Sequence, residues 1–68
     1  MTAYAVSYDL FKTGQNYPDL IKKIESYPKA VRVLLSYWII ETNKSAKDIV
    51  AELKPYYDSN DKIFVVAL

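Results

Sequence analysis

The chain contains no cysteine and no histidine, and it has a single glycine among its 68 residues. Without cysteine there is no thiolate nucleophile and no disulfide, and without histidine the usual zinc ligand sets are missing. A bound metal would therefore be a hard cation such as Mg²⁺ or Mn²⁺, held by carboxylates, backbone carbonyls and water. A serine nucleophile would also lack its conventional histidine base.

Long apolar runs and a strong net charge are missing as well. No apolar segment approaches bilayer length, and the N-terminus lacks the basic flank and apolar run of a signal peptide, so we predict a soluble cytoplasmic protein without a membrane partner. The formal net charge of +1 is far from the strongly basic charge that is typical of nucleic-acid-binding domains. The hydrophobic fraction, in contrast, is 51% and includes seven tyrosines. One globule of this size would struggle to bury that much apolar surface, which favours self-association.

The first half of the chain predicts a strand, a loop and a helix. Neither side of the stretch Ala3–Tyr8 is strongly polar, which is typical of a central strand covered on both faces. Residues 11–16, which contain the only glycine, are predicted to form a loop. Asn16 is the predicted cap of a helix that has Pro18 in its first turn and stops at Pro28.

The second half begins with the most β-prone stretch of the sequence, residues 31–42, which is long for one strand in so small a domain. We predict two strands that meet near Leu35 and Ser36, although a single bent or bulged strand is the alternative because no Gly, Asn or Pro marks a turn there. Ser45 and Asp48 have the spacing of a capping box, and Pro55 should end the second helix by Lys54. A final strand is predicted over residues 61–68.

This order of strand, helix, strand, strand, helix, strand predicts one α+β domain over residues 1–68. Two helices on one face of a four-stranded antiparallel sheet give the ferredoxin-like βαββαβ plan, with the first and third strands in the centre. The helices cover only one face, so the other face would be apolar and exposed. We therefore expect a homodimer that packs sheet to sheet or edge to edge.

Three residues are candidates for chemistry. Asp9, at the end of the first strand, is either a Mg²⁺ ligand or a residue that caps the following loop. One carboxylate per chain is a poor metal site, so the first interpretation requires a twofold axis that brings two copies of Asp9 together. Arg32, the sole arginine, is either a phosphate contact or a solvated surface residue. Ser36 could orient a substrate phosphate or a water molecule.

Two weaker patterns have simpler explanations. The segment Asp58–Asp61 is a faint match to a calcium loop, but it lacks the glycine and the distal glutamate of such loops. An Asx-type turn before a strand is the better interpretation. The tyrosines could stack on nucleic-acid bases, but core and interface positions account for most of them.

Three segments carry a resemblance to a known family: residues 4–10, residues 32–40 and residues 59–66. They resemble short bacterial and phage proteins related to the small CRISPR-associated endonuclease of the spacer-acquisition complex and, more distantly, to virulence-associated protein D. The resemblance implies a ferredoxin-like homodimer. For the nucleases it also implies Mg²⁺-dependent cleavage of RNA or DNA, with Asp9 at the position of the metal-binding aspartate and Ser36 at the position of the serine after the second strand. Lys12 and Arg32 are then the basic residues assigned to nucleic acid.

Two functions follow from these observations. The first, which we favour, is a catalytically inert dimer that serves as an assembly or accessory module in a phage, plasmid or toxin–antitoxin context. The second is a dimeric Mg²⁺-dependent endonuclease in which paired Asp9 carboxylates hold one ion that polarises a phosphodiester and activates water.

Overall fold

The computed structural model describes residues 1–11 and 17–68. The predicted Asn16 cap and most of the predicted loop before it lie outside the described residues. The elements are, in chain order, β1 (Thr2–Asp9), α1 (Tyr17–Glu25), β2 (Lys29–Leu34), β3 (Tyr37–Thr42), α2 (Ala46–Leu53), a 3₁₀ turn (Lys54–Tyr56) and β4 (Lys62–Ala67). The predicted order of strands and helices is confirmed.

The four strands form one antiparallel sheet in the order β2-β3-β1-β4. This is the ferredoxin-like arrangement, and β1 and β3 occupy the predicted central positions. Val6 of β1 shows how both neighbours pair with the central strand, because it lies opposite Trp38 of β3 and Val65 of β4. Both helices are on the same face of the sheet, which therefore has a covered side and an open side.

The covered side contains the hydrophobic core. Along β1 the side chains of Tyr4, Val6 and Tyr8 enter this core, as the twofold periodicity of a strand requires. The helices contribute apolar residues at helical spacing. The largest side chains that are fully buried are Leu20, Ile24, Ile40, Ile49, Leu53 and Val6.

The turn between β2 and β3 forms at Leu35 and Ser36, as predicted, and excludes the single bent strand. It contains no Gly, Asn or Pro, and residues of β1 and β2 donate hydrogen bonds to its carbonyls. The Leu35 carbonyl accepts from the Tyr8 hydroxyl at 3.2 Å and from Arg32 Nε and Nη2 at 3.0 and 2.6 Å. The Ser36 carbonyl accepts from the Tyr8 backbone N–H at 3.0 Å. A register shift between Arg32 and Leu34 also adds a local irregularity to β2.

The limits of α2 follow from its sequence. The Ser45 hydroxyl accepts a hydrogen bond from the Asp48 backbone N–H at 3.1 Å, which confirms the N-terminal half of the predicted capping box. The helix ends at Leu53, and Pro55 lies in the 3₁₀ turn that follows. Within residues 1–11 and 17–68, the two α-helices of nine and eight residues fall well short of a membrane span.

Candidate functional site

The open side of the sheet, opposite the two helices, presents exposed apolar side chains. We call it the helix-free face. Its central rows run across all four strands, so that Val31, Ile39, Ala5 and Val66 lie side by side. Several of these side chains are strongly exposed, with Val31 and Phe64 each at 63%. The apolar members of this face are Ala3, Ala5, Val31, Leu34, Tyr37, Ile39, Phe64, Val66 and Leu68.

Asp9 is the last residue of β1, and its side chain belongs to the helix-free face. It follows Ala5 and Ser7 on that side of the strand, and it lies opposite Lys62 of β4. Asp9 and Lys62 are both exposed, and both border shallow depressions of about 300 and 310 Å³. The strand therefore holds the carboxylate at a fixed place on the rim of an apolar surface.

The surroundings of Asp9 in one chain do not fit a divalent cation. Among the described residues, no group of three or more Asp, Glu, His or Cys side chains could hold a metal ion. The nearest cross-strand side chain, Lys62, is a cation that would repel one. The donor set becomes adequate for Mg²⁺ only if a second chain contributes its own Asp9.

Ser36 lies at the same end of the sheet as Asp9. Its carbonyl accepts a hydrogen bond from the backbone N–H of Tyr8, the residue that precedes Asp9. Ser36 is exposed to solvent. The structure thus brings two of the predicted site residues into one neighbourhood, although they are far apart in sequence.

Arg32 lies near the same turn as Ser36, but its side chain is on the opposite face of the sheet from Asp9. It pairs with Trp38 in the β2–β3 register and shares the helix side of the sheet with it. Its guanidinium lies 5.3 Å from the centre of the Trp38 ring and donates to the Leu35 carbonyl. Arg32 therefore stabilises a turn, on the face opposite Asp9. Lys12, the other residue assigned to nucleic acid, lies outside the described residues.

Asp61 has a role that the sequence did not reveal. Its buried carboxylate accepts from the Phe11 backbone N–H at 2.6 Å, from the Asp58 backbone N–H at 2.8 Å and from the Tyr17 hydroxyl at 3.1 Å. The Asp61 backbone N–H also donates to the Asp58 carbonyl at 3.0 Å, which closes the turn before β4. The available signal was the turn preference of the segment, since the other donors are distant in sequence.

The hydrogen bonds of Asp61 predict a pH dependence of stability. Burial alone would raise the pKa of this carboxyl, but the donors from Asp58, Phe11 and Tyr17 outweigh it and hold the pKa below its ordinary value of 3.8. A carboxyl whose pKa is lowered on folding adds stability above its unfolded-state pKa, and that contribution disappears as the pH falls through the folded-state pKa. Asp61→Asn should therefore lower the urea midpoint at pH 7 and have a smaller effect under strongly acidic conditions.

Urea denaturation of the unaltered and Asp61→Asn chains tests that expectation. It is followed by circular dichroism from pH 7 down to strongly acidic conditions. Asp58→Asn is the matched control, because the hydrogen bonds of Asp58 in this turn use its backbone N–H and carbonyl. A urea midpoint that Asp61→Asn lowers equally at every pH would contradict the prediction.

A second polar cluster lies at the end of the helix layer. Glu52 accepts from the Tyr27 hydroxyl at 2.7 Å and pairs with the ammonium groups of Lys44 and Lys23. Burial, followed by the hydrogen bond to Glu52 and its charge, raises the Tyr27 pKa, while Lys44 and Tyr27 lower the pKa of Glu52. Glu52 gives the hydroxyl of the buried Tyr27 a hydrogen-bond acceptor, so we assign this cluster a structural role.

Comparisons with known proteins add no relative. The sequence matches no protein-family model and no curated protein, and the structure matches no solved structure. The resemblance to the spacer-acquisition endonuclease therefore stays a prediction from short motifs. The functional argument depends on the helix-free face and on Asp9 at its rim.

Proposed function

We propose that the protein is a small dimeric assembly module in which two copies pack through their helix-free faces. The observation that carries the proposal is the apolar helix-free face, on which Val31, Phe64 and Val66 of the two edge strands are exposed. Large patches of this kind are uncommon on monomeric proteins and usually mark an interface. A cytoplasmic location and an accessory role in a phage, plasmid or toxin–antitoxin context belong to the same proposal, and the resemblance alone supports that role.

The shape of the surface supports a flat partner. Residues from four neighbouring strands contribute to it, and the exposed side chains of its two edge strands include Val31, Phe64 and Val66. A sheet packed on a second sheet buries such rows about 10 Å from their counterparts. Association would remove Val31, Phe64 and Val66 from water, which is favourable by about 25 cal/mol for each Å² of apolar area.

Sedimentation equilibrium of the intact chain tests this proposal. We expect a dimer at micromolar concentrations, because an interface of standard size, roughly 800 Å² per partner, commonly supports such affinities. A chain that remains monomeric through the high micromolar range would contradict the proposed function.

A second candidate function is a Mg²⁺-dependent endonuclease acting on RNA or DNA. The observation that favours it is the position of Asp9, exposed on the same face that a second copy would cover and close to the turn that contains Ser36. In such a dimer two Asp9 carboxylates would hold the ion, which would supply Lewis-acid activation of the phosphodiester. Ser36 would orient the substrate phosphate or water.

This candidate predicts metal-dependent cleavage that requires Asp9. Purified protein should cut labelled single-stranded RNA or double-stranded DNA with Mg²⁺ or Mn²⁺, and EDTA should stop the reaction. Asp9→Ala should abolish cleavage, whereas Asp19→Ala, which removes an exposed carboxylate from α1, should have no effect. Absence of cutting, or cutting that survives in a folded Asp9→Ala dimer, would exclude the nuclease.

A further inference from the structure

We propose that four charged side chains at two opposite corners of the helix-free face orient the second copy, by pairing each carboxylate with an ammonium group of the partner. This inference rests on the proposed dimer and specifies how it is built. The occupant of the face is a second copy of this chain. The charges lie in two cross-strand pairs, Lys29 with Glu41 and Asp9 with Lys62.

The register fixes where the two pairs lie. Lys29 and Glu41 occupy β2 and β3 at one end of the sheet, whereas Asp9 and Lys62 occupy β1 and β4 at the other end. Each acid is on a central strand and each base is on an edge strand. The charges therefore occupy diagonally opposite corners, with the apolar rows between them.

Among residues 1–11 and 17–68, none of the four corner charges lies within 4.0 Å of an opposite charge. In the part of the chain that the structure describes, both ion pairs involve Glu52, on the helix side of the molecule. Asp9, Lys29 and Lys62 are exposed, and Glu41 is half-buried. Such charges are available to a partner, and they oppose any docking that would cover them with apolar side chains.

A second copy can match this pattern because, at both corners, the acid is on a central strand and the base is on an edge strand. A twofold axis in the plane of the interface superposes the charged corners in two orientations: along the diagonal that joins these corners, or perpendicular to that diagonal. Both exchange the inner and outer positions, so Asp9 faces the partner's Lys62 in the first orientation and the partner's Lys29 in the second. In both arrangements every carboxylate meets an ammonium group, and the apolar rows meet each other.

Charge reversal tests this pairing. One chain carries Asp9→Lys and Glu41→Lys, so that all four corner side chains are basic. A second chain carries Lys29→Glu and Lys62→Glu, so that all four corner side chains are acidic. Each chain alone should dimerise at least about 100-fold more weakly than the unaltered chain, because like charges would face each other across the interface. An equimolar mixture should restore a dimer, which sedimentation equilibrium measures.

A matched pair of control chains separates corner pairing from general attraction between oppositely charged molecules. Asp19→Lys with Glu25→Lys, and Lys22→Glu with Lys47→Glu, make the same changes in net charge at exposed positions on the helices. We expect each control chain to dimerise like the unaltered one and to show little preference for the other in a mixture.

The outcomes distinguish this inference from the proposed function. If the unaltered chain is a dimer and the corner variants still self-associate, or the control chains exchange partners just as selectively, the inference is overturned and the proposed dimer stands. A monomeric unaltered chain overturns both. Circular dichroism checks that each variant folds. Should one fail to fold, the unaltered dimer is measured at increasing NaCl, where corner pairing predicts weaker association and salt-independent association overturns it.

Discussion

Lysine in place of Val66 is expected to leave the protein a monomer at concentrations where the unaltered chain is a dimer. Val66 is 40% exposed and lies beside Ala5 in a central row of the helix-free face. An ammonium group at this position would be covered by apolar side chains of the second copy, without a partner to neutralise it. Burying an unpaired charge is costly enough to weaken dimerisation by at least about 100-fold.

Sedimentation equilibrium measures this effect, and Ala51→Lys is the matched control. Ala51 is exposed on α2, on the helix side of the sheet, and lysine is tolerated well in helices. The control should dimerise like the unaltered chain. A Val66→Lys chain that is still a dimer would show that the copies meet elsewhere, for example edge to edge.

Trp38→Ala is expected to unfold most of the protein at 25 °C. The Trp38 ring is 3% exposed, lies beneath the Arg32 guanidinium and donates from Nε1 to the Tyr8 hydroxyl at 3.1 Å. Removing a buried tryptophan typically costs about 3–5 kcal/mol. A single core of this size supplies only roughly 3–5 kcal/mol in total, so the remaining stability would be near zero.

Far-ultraviolet circular dichroism in urea tests the loss, and Trp38→Phe separates its two causes. Phenylalanine keeps most of the buried ring but removes the N–H that bonds Tyr8, so it should cost less than alanine and leave the chain folded. A loss below about 1 kcal/mol for Trp38→Ala would contradict the assigned role, since core truncations of this size cost several times more.

The order of the elements was predictable because it depends on local patterns. The lack of a strongly polar side in residues 3–8 indicated a central strand, and Ser45 with Asp48 indicated a helix start. Both patterns can be recognised within a few residues. The open face of the sheet could also be predicted, because the sequence contains only two predicted helices and both lie on one side of a four-stranded sheet. These features required no knowledge of distant contacts.

Most of the parts that sequence reasoning could not supply depend on distant contacts. The Leu35 carbonyl accepts a hydrogen bond from Arg32, three residues earlier, but its bond from the Tyr8 hydroxyl comes from a strand 27 residues away. Asp61 resembles an ordinary turn residue until Phe11 and Tyr17 are placed beside it. The position of Asp9 at the end of a strand could be predicted, whereas its chemistry depends on a second chain.

The pairing of β1 with β4 has a consequence for synthesis on the ribosome. β1 is made first among the strands, yet one of its edges pairs only with β4, the last strand in chain order, where Tyr4 meets Ala67. The β2–β3 hairpin can form while the chain is still growing, but the nascent β1 keeps an unsatisfied apolar edge until β4 has emerged. Such edges are templates for aggregation, so a stalled chain that ends before β4 should be a client for chaperones.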